Sequence, residues 1–151
     1  MIIYIGADHR GFKLKETLKQ FLQESGYTVS DLGNTRYEEG DDYPDFAKLV
    51  GPKVSADALN SRGIVICGSG VGVDVVANKF PNVRSALGFS SDQVMEARKD
   101  DDVNVLALAS DFLEEDEAKK MVSVWLQTPF SGEERHKRRI EKIRQIDYPS
   151  H

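Results

Sequence analysis

The sequence predicts an α/β protein, a three-layer αβα sandwich built on a five-stranded parallel sheet. Five short runs of β-branched and other apolar residues alternate with stretches in which apolar residues recur at helical spacing. The central run, residues 64–67, is apolar at every position, which is typical of a strand buried on both faces. Strands and helices that alternate in this way form a doubly wound, Rossmann-like sheet covered on both faces.

The first half of the chain contains three of these strands. Leu14, Leu18 and Leu22 recur at helical spacing and mark the first helix. The polar segment 33–44 is long enough to be a functional loop. The helix that follows it contains Gly51–Pro52, which we expect to kink or split it. The predicted strands are 1–6, 27–32 and 64–67, and the predicted helices are 12–25, 45–59 and 73–79.

The second half repeats the alternation and ends in a charged helix. Ser90 or Ser91 can cap a helix that runs through Lys99. After Gly132, isoleucines at 140, 143 and 146 form an apolar stripe on an otherwise charged helix, predicted over about 132–147. The remaining predicted elements are strands at 84–89 and 104–109 and an amphipathic helix at 114–127.

Composition narrows the class of protein. The 151 residues carry a net charge of −5 and one cysteine. The length favours a single domain, residues 1–151, and the acidic balance argues against a nucleic-acid-binding protein. A lone cysteine excludes an internal disulfide and a cysteine-based metal cluster. With no basic signal segment and no apolar stretch long enough to span a membrane, we expect a cytoplasmic protein.

A glycine-rich segment follows the central strand, and it fits none of the common nucleotide or hydrolase motifs. Cys67 ends the strand, and Gly68-Ser69-Gly70-Val71-Gly72 leads into a helix. The spacing matches neither a Walker loop nor the dinucleotide fingerprint, and Ser69 lacks the flanking glycines of a nucleophile elbow. The three histidines show no ligand spacing, so we expect no metal and no cofactor.

Cys67 is a candidate general base. Backbone amides at the start of a helix favour anions, and a helix dipole can stabilise a thiolate by up to about 2 kcal/mol. The loop amides and the Ser69 hydroxyl could stabilise an enediolate oxygen. A base beside such an oxyanion site can move a proton between adjacent carbons of a sugar. The alternative is that Cys67 is a small core residue and the glycines only turn the chain.

The charged helix near the C-terminus is a candidate phosphate site. Residues 133–146 contain six Lys or Arg and three Glu, a net charge of +3, which leaves −8 for the rest of the chain. Arg135 and Arg139 lie four residues apart near the helix start, where two cations repel each other and oppose the helix dipole. Arginine pairs of this kind grip phosphate oxygens, although a merely solvated basic face is the alternative. His9, after the first strand, is either a second phosphate ligand or a loop histidine.

Five segments together resemble the ribose-5-phosphate isomerase B family, which includes the galactose-6-phosphate isomerase subunits. They are GADHRGFKLK, DYPDFA, ICGSGVGVDVVANK, NVLALAS and ERHKRRIEKI, and they cover nearly the whole chain. The resemblance implies metal-free aldose–ketose isomerisation of sugar phosphates through a cis-enediol. It also implies a homodimer or homotetramer with active sites between subunits, and the C-terminal helix is expected to pack across that interface.

The resemblance also assigns roles to individual residues. Cys67 takes the position of the base that moves the proton between C2 and C1, beside Ser69. The enediolate is held by the loop of Gly68, Gly70, Val71 and Gly72. The substrate is lined by Asp8, His9 and Tyr43, and its phosphate is held by His9, Arg135 and Arg139.

Two positions depart from the family and leave the substrate open. Asp100 and Asp101 stand where the family has a ring-opening histidine and, usually, an asparagine, and Asp111 stands where it has a phosphate-binding arginine. An aspartate can donate a proton to a ring oxygen only where burial or acidic neighbours keep it protonated. Ribose 5-phosphate is therefore the first expectation. The alternatives are a tetrose 4-phosphate, which needs no ring opening, a hexose 6-phosphate, and a non-catalytic sugar-phosphate-binding subunit.

Overall fold

A computed structural model describes residues 1–149, and strands and helices alternate along them. The strands are β1 (Ile2–Ala7), β2 (Thr28–Asp31), β3 (Ser61–Cys67), β4 (Ser85–Leu87) and β5 (Val105–Ala109). The helices are α1 (Phe12–Glu24), α2 (Tyr43–Ala56), α3 (Val71–Ala77), α4 (Ser91–Asp101), α5 (Glu115–Gln127) and α6 (Glu134–Asp147).

The five strands form one parallel sheet in the order β2-β1-β3-β5-β4. Helices α1, α4 and α5 bury apolar side chains against one face, and α2 and α3 against the other. Within β3, Ile64 and Ile66 face the first layer while Val65 and Cys67 face the second, so the strand is apolar throughout because it is covered twice. The predicted αβα sandwich is confirmed.

Helix α2 differs from the prediction at both ends and in its middle. It begins at Tyr43, with Asp42 extended before it and Pro44 in the first turn, where proline's missing N–H has no helical partner to lose. The expected split at Gly51–Pro52 is wrong, because the helix continues through Pro52 to Ala56. Val50 and Val54, both fully buried against the sheet, stabilise the helix through packing that local propensity does not register.

The C-terminal helix lies mostly outside the core. Among the residues of α6, His136 is the one that is buried, and the helix packs against α4. The predicted stripe is only partly covered, because Ile143 is 40% and Ile146 is 79% exposed. No helix within residues 1–149 is long and apolar enough to cross a membrane.

Candidate active site

Three loops meet at the carboxyl edge of the sheet, where β1, β3 and β5 end. The Asp8 amide donates to the Ile66 carbonyl at 3.3 Å, and the Ser110 amide donates to the Cys67 carbonyl at 2.9 Å. The Asp111 amide in turn donates to the Gly68 carbonyl at 3.0 Å. These bonds fix the loops relative to one another. We call the polar residues of these loops, together with two residues from the end of the 33–44 loop, the carboxyl-edge cluster. Its members are Asp8, His9, Arg10, Asp41, Tyr43, Cys67, Ser69, Ser110 and Asp111.

Cys67 and the glycine loop lie at the centre of this cluster. Cys67 is 4% exposed, whereas Ser69 is exposed. Gly70 has φ +71°, and a Cβ there would lie 2.9 Å from the Leu108 carbonyl carbon, so the turn requires glycine. Helix α3 starts at Val71, and the amides of its first turn have no partner within the helix. The predicted combination of a thiol and an amide-rich turn is therefore present.

The turn after β1 places Asp8 and His9 beside the loop. Asp8 is 5% exposed and accepts a hydrogen bond from the Gly11 amide at 3.0 Å, and burial raises the pKa of its carboxyl. The backbone amide and the Nδ1 atom of His9 both contact Asp41 Oδ1, each at 2.8 Å. The hydrogen bond with Asp41 raises the pKa of His9, which favours the cationic form that a phosphate would select.

Tyr43 reaches the loop from the start of α2. A Cβ built at Gly72 would lie 2.5 Å from Tyr43 Cζ, so the ring lies directly against that glycine. A side chain at position 72 would push the ring away. Asp8, His9, Tyr43 and the glycine loop, which the sequence analysis predicts to line one substrate site, thus belong to one edge of one chain.

Arg10 and Asp111 form an ion pair at this edge that the sequence analysis does not anticipate. Arg10 Nη2 contacts Asp111 Oδ2, and the guanidinium group lies on Gly68, where any Cβ would overlap it. The Ser110 hydroxyl joins the pair to the loop by donating to the Arg10 carbonyl at 2.9 Å and the Cys67 carbonyl at 3.1 Å. Asp111 thus holds an arginine against the glycine loop. The two residues are 101 positions apart, so a single sequence contains no local signal of the pair.

The other predicted site residues lie at the opposite, amino edge of the sheet. Helix α4 runs back from the carboxyl edge over 11 residues, a length of about 16 Å. Near its end, the Asp101 carbonyl accepts a hydrogen bond from Arg84 Nε at 3.0 Å, just before β4 begins. Asp100 Oδ1 lies 3.4 Å from His136 Nε2 in the first turn of α6. We call Asp100, Asp101, Arg135 and Arg139 the amino-edge group.

The amino-edge group is exposed to solvent. The Arg135 side chain is 60% exposed and pairs with Glu133 at 2.9 Å, and Arg139 is exposed as well. Asp100 is 43% exposed on its side chain, so its own chain does not supply the burial that a proton-donating aspartate requires. Within one chain, these residues do not meet Cys67.

A small cleft beside Ser69 accounts for part of the expected crevice. Its volume is about 230 Å³, and it joins Ser69 to Gly88 and Phe89 after β4, as expected for loops at one sheet edge. Asp8 and His9 do not line this cleft. Around it, several apolar side chains are exposed by half or more: Val71, Val75, Phe89 and Phe112.

Asp41 is a second residue that the sequence analysis does not single out. One ligand atom from each of Asp8, His9 and Asp41 lies within 4.8 Å of the others, close enough to share a small ligand or a cation. The expectation that the protein uses no metal therefore remains a prediction. The available signal was the acidic pair Asp41–Asp42 at the end of a long polar loop, a segment already expected to be functional.

Comparison with known proteins places the chain among sugar-phosphate isomerases. A sequence model of the ribose/galactose isomerase family matches residues 3–143. The ribose-5-phosphate isomerase B of Mycobacterium tuberculosis is 35% identical over 147 residues, which make up 97% of this chain and 90% of that protein.

Solved structures agree along the whole fold. Ribose-5-phosphate isomerase B from Mycoplasma genitalium, crystallised with bound ribulose 5-phosphate, has 41% identity and a TM-score of 0.95 over 99% of this chain and 97% of that one. The enzyme of the same name from Clostridium thermocellum has 40% identity and a TM-score of 0.92, with 97% of each chain covered.

Proposed function

The chain belongs to the ribose/galactose isomerase family, and on that premise we propose that it interconverts ribose 5-phosphate and ribulose 5-phosphate. The observation that carries the proposal is the position of Cys67, which is buried beside an amide-rich turn that Tyr43 contacts at Gly72, next to the loop that carries Asp8. Relatives that it matches over nearly their whole length carry the name of this activity, and one of them was crystallised with ribulose 5-phosphate. The chain is accordingly an aldose–ketose isomerase.

Cys67 is the base in the proposed mechanism. Its thiolate removes the proton from C2 of the open-chain aldose, a C1–C2 double bond forms, and the C1 carbonyl oxygen becomes an enediolate oxygen. The same sulfur returns the proton to C1, while the proton of the C2 hydroxyl passes to the oxygen on C1 and C2 becomes the ketose carbonyl. A positioned general base of this kind contributes about 10²- to 10⁴-fold in rate.

The glycine loop stabilises the intermediate. The backbone amides of Gly68 to Gly72 and the Ser69 hydroxyl directly follow the thiol in the chain, and the loop that carries them is held by the bond from the Asp111 amide to the Gly68 carbonyl. Donors aimed at a developing oxyanion are worth several kcal/mol, about 2.7–4 for a single one in a well-studied case. Asp8 and Tyr43 line the sugar, and His9 contacts its phosphate.

A second copy of the chain completes the phosphate site. Arg135 and Arg139 carry the charge that a phosphate requires, but they lie at the edge of the sheet away from Cys67. In a homodimer or homotetramer, the amino edge of one chain meets the carboxyl edge of its neighbour, and α6 packs across the interface. The exposed Ile146 on α6 and the exposed Phe89 and Phe112 near Ser69 support such an interface.

Ring opening is assigned to Asp100 of the second chain, with Asp101 beside it. The side chain of Asp100 is 43% exposed in its own chain, and the neighbouring carboxyl edge would cover it. The aspartate at position 100, where the family has a ring-opening histidine, also favours a second candidate substrate. A tetrose 4-phosphate cannot close a furanose ring because its O4 is esterified, so it needs no acid at position 100.

Aldose–ketose conversion by the purified chain tests these assignments. We expect turnover of ribose 5-phosphate, and we expect Cys67→Ser to lower kcat by about 10²- to 10⁴-fold with KM little changed. Activity on a tetrose 4-phosphate alone would replace the substrate and keep the mechanism. An unchanged kcat in Cys67→Ser would show that Cys67 is not the base. If the chain converts no pentose, tetrose or hexose phosphate, the result would favour a sugar-phosphate-binding subunit.

A further inference from the structure

Asp41 presents an unusual acceptor to the candidate site. Its side chain is 8% exposed, and its Oδ1 atom accepts both hydrogen bonds from His9. Its Oδ2 atom is buried and has no hydrogen-bond partner among the described residues. Buried carboxylate oxygens nearly always have a partner, because leaving one without a donor destabilises the fold. No group within residues 1–149 supplies the donor that this oxygen requires.

The surroundings of Asp41 define the chemistry of that donor. Asp8 is also buried, and its own carboxyl accepts from the Gly11 amide. Ligand atoms of Asp8, His9 and Asp41 lie within 4.8 Å of one another, so one small group can face all three residues. A carboxylate oxygen can only accept, so the group that faces Asp41 Oδ2 is a donor such as a hydroxyl and not a phosphate oxygen. A sugar hydroxyl meets this requirement, and His9, whose Nδ1 atom contacts Asp41, keeps its other ring nitrogen for the phosphate.

We propose that Asp41 is a substrate-binding residue, which accepts a hydrogen bond from a sugar hydroxyl through Oδ2 while Oδ1 positions His9. This inference rests on the proposed function, because it takes a phosphorylated sugar as the ligand. It assigns Asp41 two roles on opposite oxygens: specificity for a hydroxylated chain, and orientation of the phosphate-contacting imidazole. A site built around a hydroxyl rejects an analogue that lacks it, because the buried acceptor is then left without a partner.

Deoxy substrates separate these two roles. The variant Asp41→Asn keeps the side-chain shape, and kcat/KM is measured on ribose 5-phosphate and on its 3-deoxy and 4-deoxy analogues. We expect a loss of about 10- to 100-fold on ribose 5-phosphate. On the analogue that lacks the bound hydroxyl, the loss should be smaller by at least about tenfold, because the contact is already absent. An equal loss on all three substrates would mean that Asp41 acts only through His9, and would overturn the proposal.

Glu39→Gln is the matched control, since Glu39 is an exposed carboxylate in the same loop. It should leave all three values within about twofold of the unmodified chain. Circular dichroism of both variants verifies that the loop change does not unfold the protein.

A binding measurement keeps the test independent of turnover. Calorimetry compares ribitol 5-phosphate, an open-chain polyol phosphate, with inorganic phosphate on the unmodified chain and on Asp41→Asn. The substitution should weaken the polyol phosphate by at least about tenfold more than inorganic phosphate. Equal weakening would overturn the role of Asp41. If polyol binding depends on Asp41 but ribose 5-phosphate is not converted, the proposed function fails while this inference holds.

Discussion

The two edges of the sheet carry the two halves of the candidate site in different physical states. At the carboxyl edge, Asp8 and Cys67 are at most 5% exposed, and backbone hydrogen bonds join the strand ends and loops that carry them. At the amino edge, the side chains of Asp100 and Arg135 are 43% and 60% exposed. The carboxyl-edge cluster is positioned by its own chain, whereas the amino-edge group consists of exposed surface side chains.

This difference indicates which half of the candidate site requires a second chain. Ordering a long, exposed arginine costs up to about 2 kcal/mol of side-chain entropy, and its charge is screened by water. Burial against a second chain would fix the side chain and strengthen its interaction with a phosphate. We therefore expect the carboxyl edge to determine the chemistry and the amino edge to act only across an interface.

The largest predicted effect comes from mixing two inactive chains. One chain carries Cys67→Ser and keeps its amino edge, and the other carries Arg135→Ser with Arg139→Ser and keeps its carboxyl edge. In a mixed dimer, one of the two shared sites is wholly unmodified. An equal mixture with free exchange should therefore recover about a quarter of the unmodified activity, far above either parent.

Subunit exchange is verified by co-purification of differently tagged chains. If tagged chains exchange and the mixture stays inactive, the two edges do not form one site. Loss of activity in the arginine variant without any rise in KM would assign these residues a role other than phosphate binding.

A smaller effect is expected from the contact between Arg10 and Gly68. The change Gly68→Ala places a methyl group where the guanidinium lies, so Arg10 must leave the loop and loosen its pairing with Asp111. The end of the flexible Arg10 side chain gives way before the loop backbone does, so we expect kcat to fall by about tenfold through loss of the guanidinium charge beside Cys67. Steady-state kinetics with thermal melts separates this effect from unfolding.

Gly132→Ala is the control for the addition of a methyl group. Unlike Gly68, Gly132 has no atom within 4 Å of an added Cβ, and it lies in the segment before α6, away from the glycine loop. Its φ of +70° makes the change mildly destabilising, but kcat should stay within about twofold. Equal losses of kcat in the two variants would show that Arg10 has no particular role at the loop.

The sequence predicts the architecture well because its signals are local. The runs that form β1, β3 and β5 are continuous and apolar, and their predicted positions agree with the structure to within a few residues. Strand β4 is shorter than predicted, three residues instead of six, although the Gly88 amide still donates to the Ala107 carbonyl of β5 at 3.0 Å.

The candidate site is less predictable because its contacts are distant in sequence. The pairs His9–Asp41 and Arg10–Asp111 are 32 and 101 residues apart. The sequence identifies Cys67 and the glycine loop through a local motif, but which carboxylate holds His9 depends on how a loop folds back. The predicted site residues lie at two opposite edges because α4 runs back across the sheet. The identities of these residues do not reveal the direction of that helix.

The two edges should also differ in their response to pH. Arginines keep their charge at every working pH, so Arg135 and Arg139 contribute no pH dependence near neutrality. The pKa of His9 is raised by its hydrogen bond with Asp41, with Asp8 also favouring the cation and Arg10 opposing it. His9 is therefore charged below this raised pKa, and phosphate binding should weaken as the pH rises through it.

The variant Asp41→Asn removes the partner and returns the pKa of His9 towards its ordinary value. Inhibition by inorganic phosphate, measured from about pH 6 to about pH 9, should then weaken at a lower pH than in the unmodified chain. Titration of phosphate itself is the same for both proteins and cancels. A profile that does not move, or that moves to higher pH, would contradict a cationic His9 held by Asp41.

The smallest effect on the stability of a single chain is expected at the apolar stripe of α6. Ile146 is 79% exposed, so Ile146→Ser should change the free energy of unfolding of one chain by no more than about 0.5 kcal/mol. If α6 packs on a second copy, the same substitution removes buried apolar area and should weaken association by about 1.5–3 kcal/mol, up to roughly a hundredfold in the dissociation constant. Sedimentation at several concentrations measures this shift, with Lys142→Ser as a control on the same helix. If the variant associates as tightly as the unmodified chain, α6 lies outside the interface. Arg135 and Arg139 would then not lie near Cys67 of a second chain.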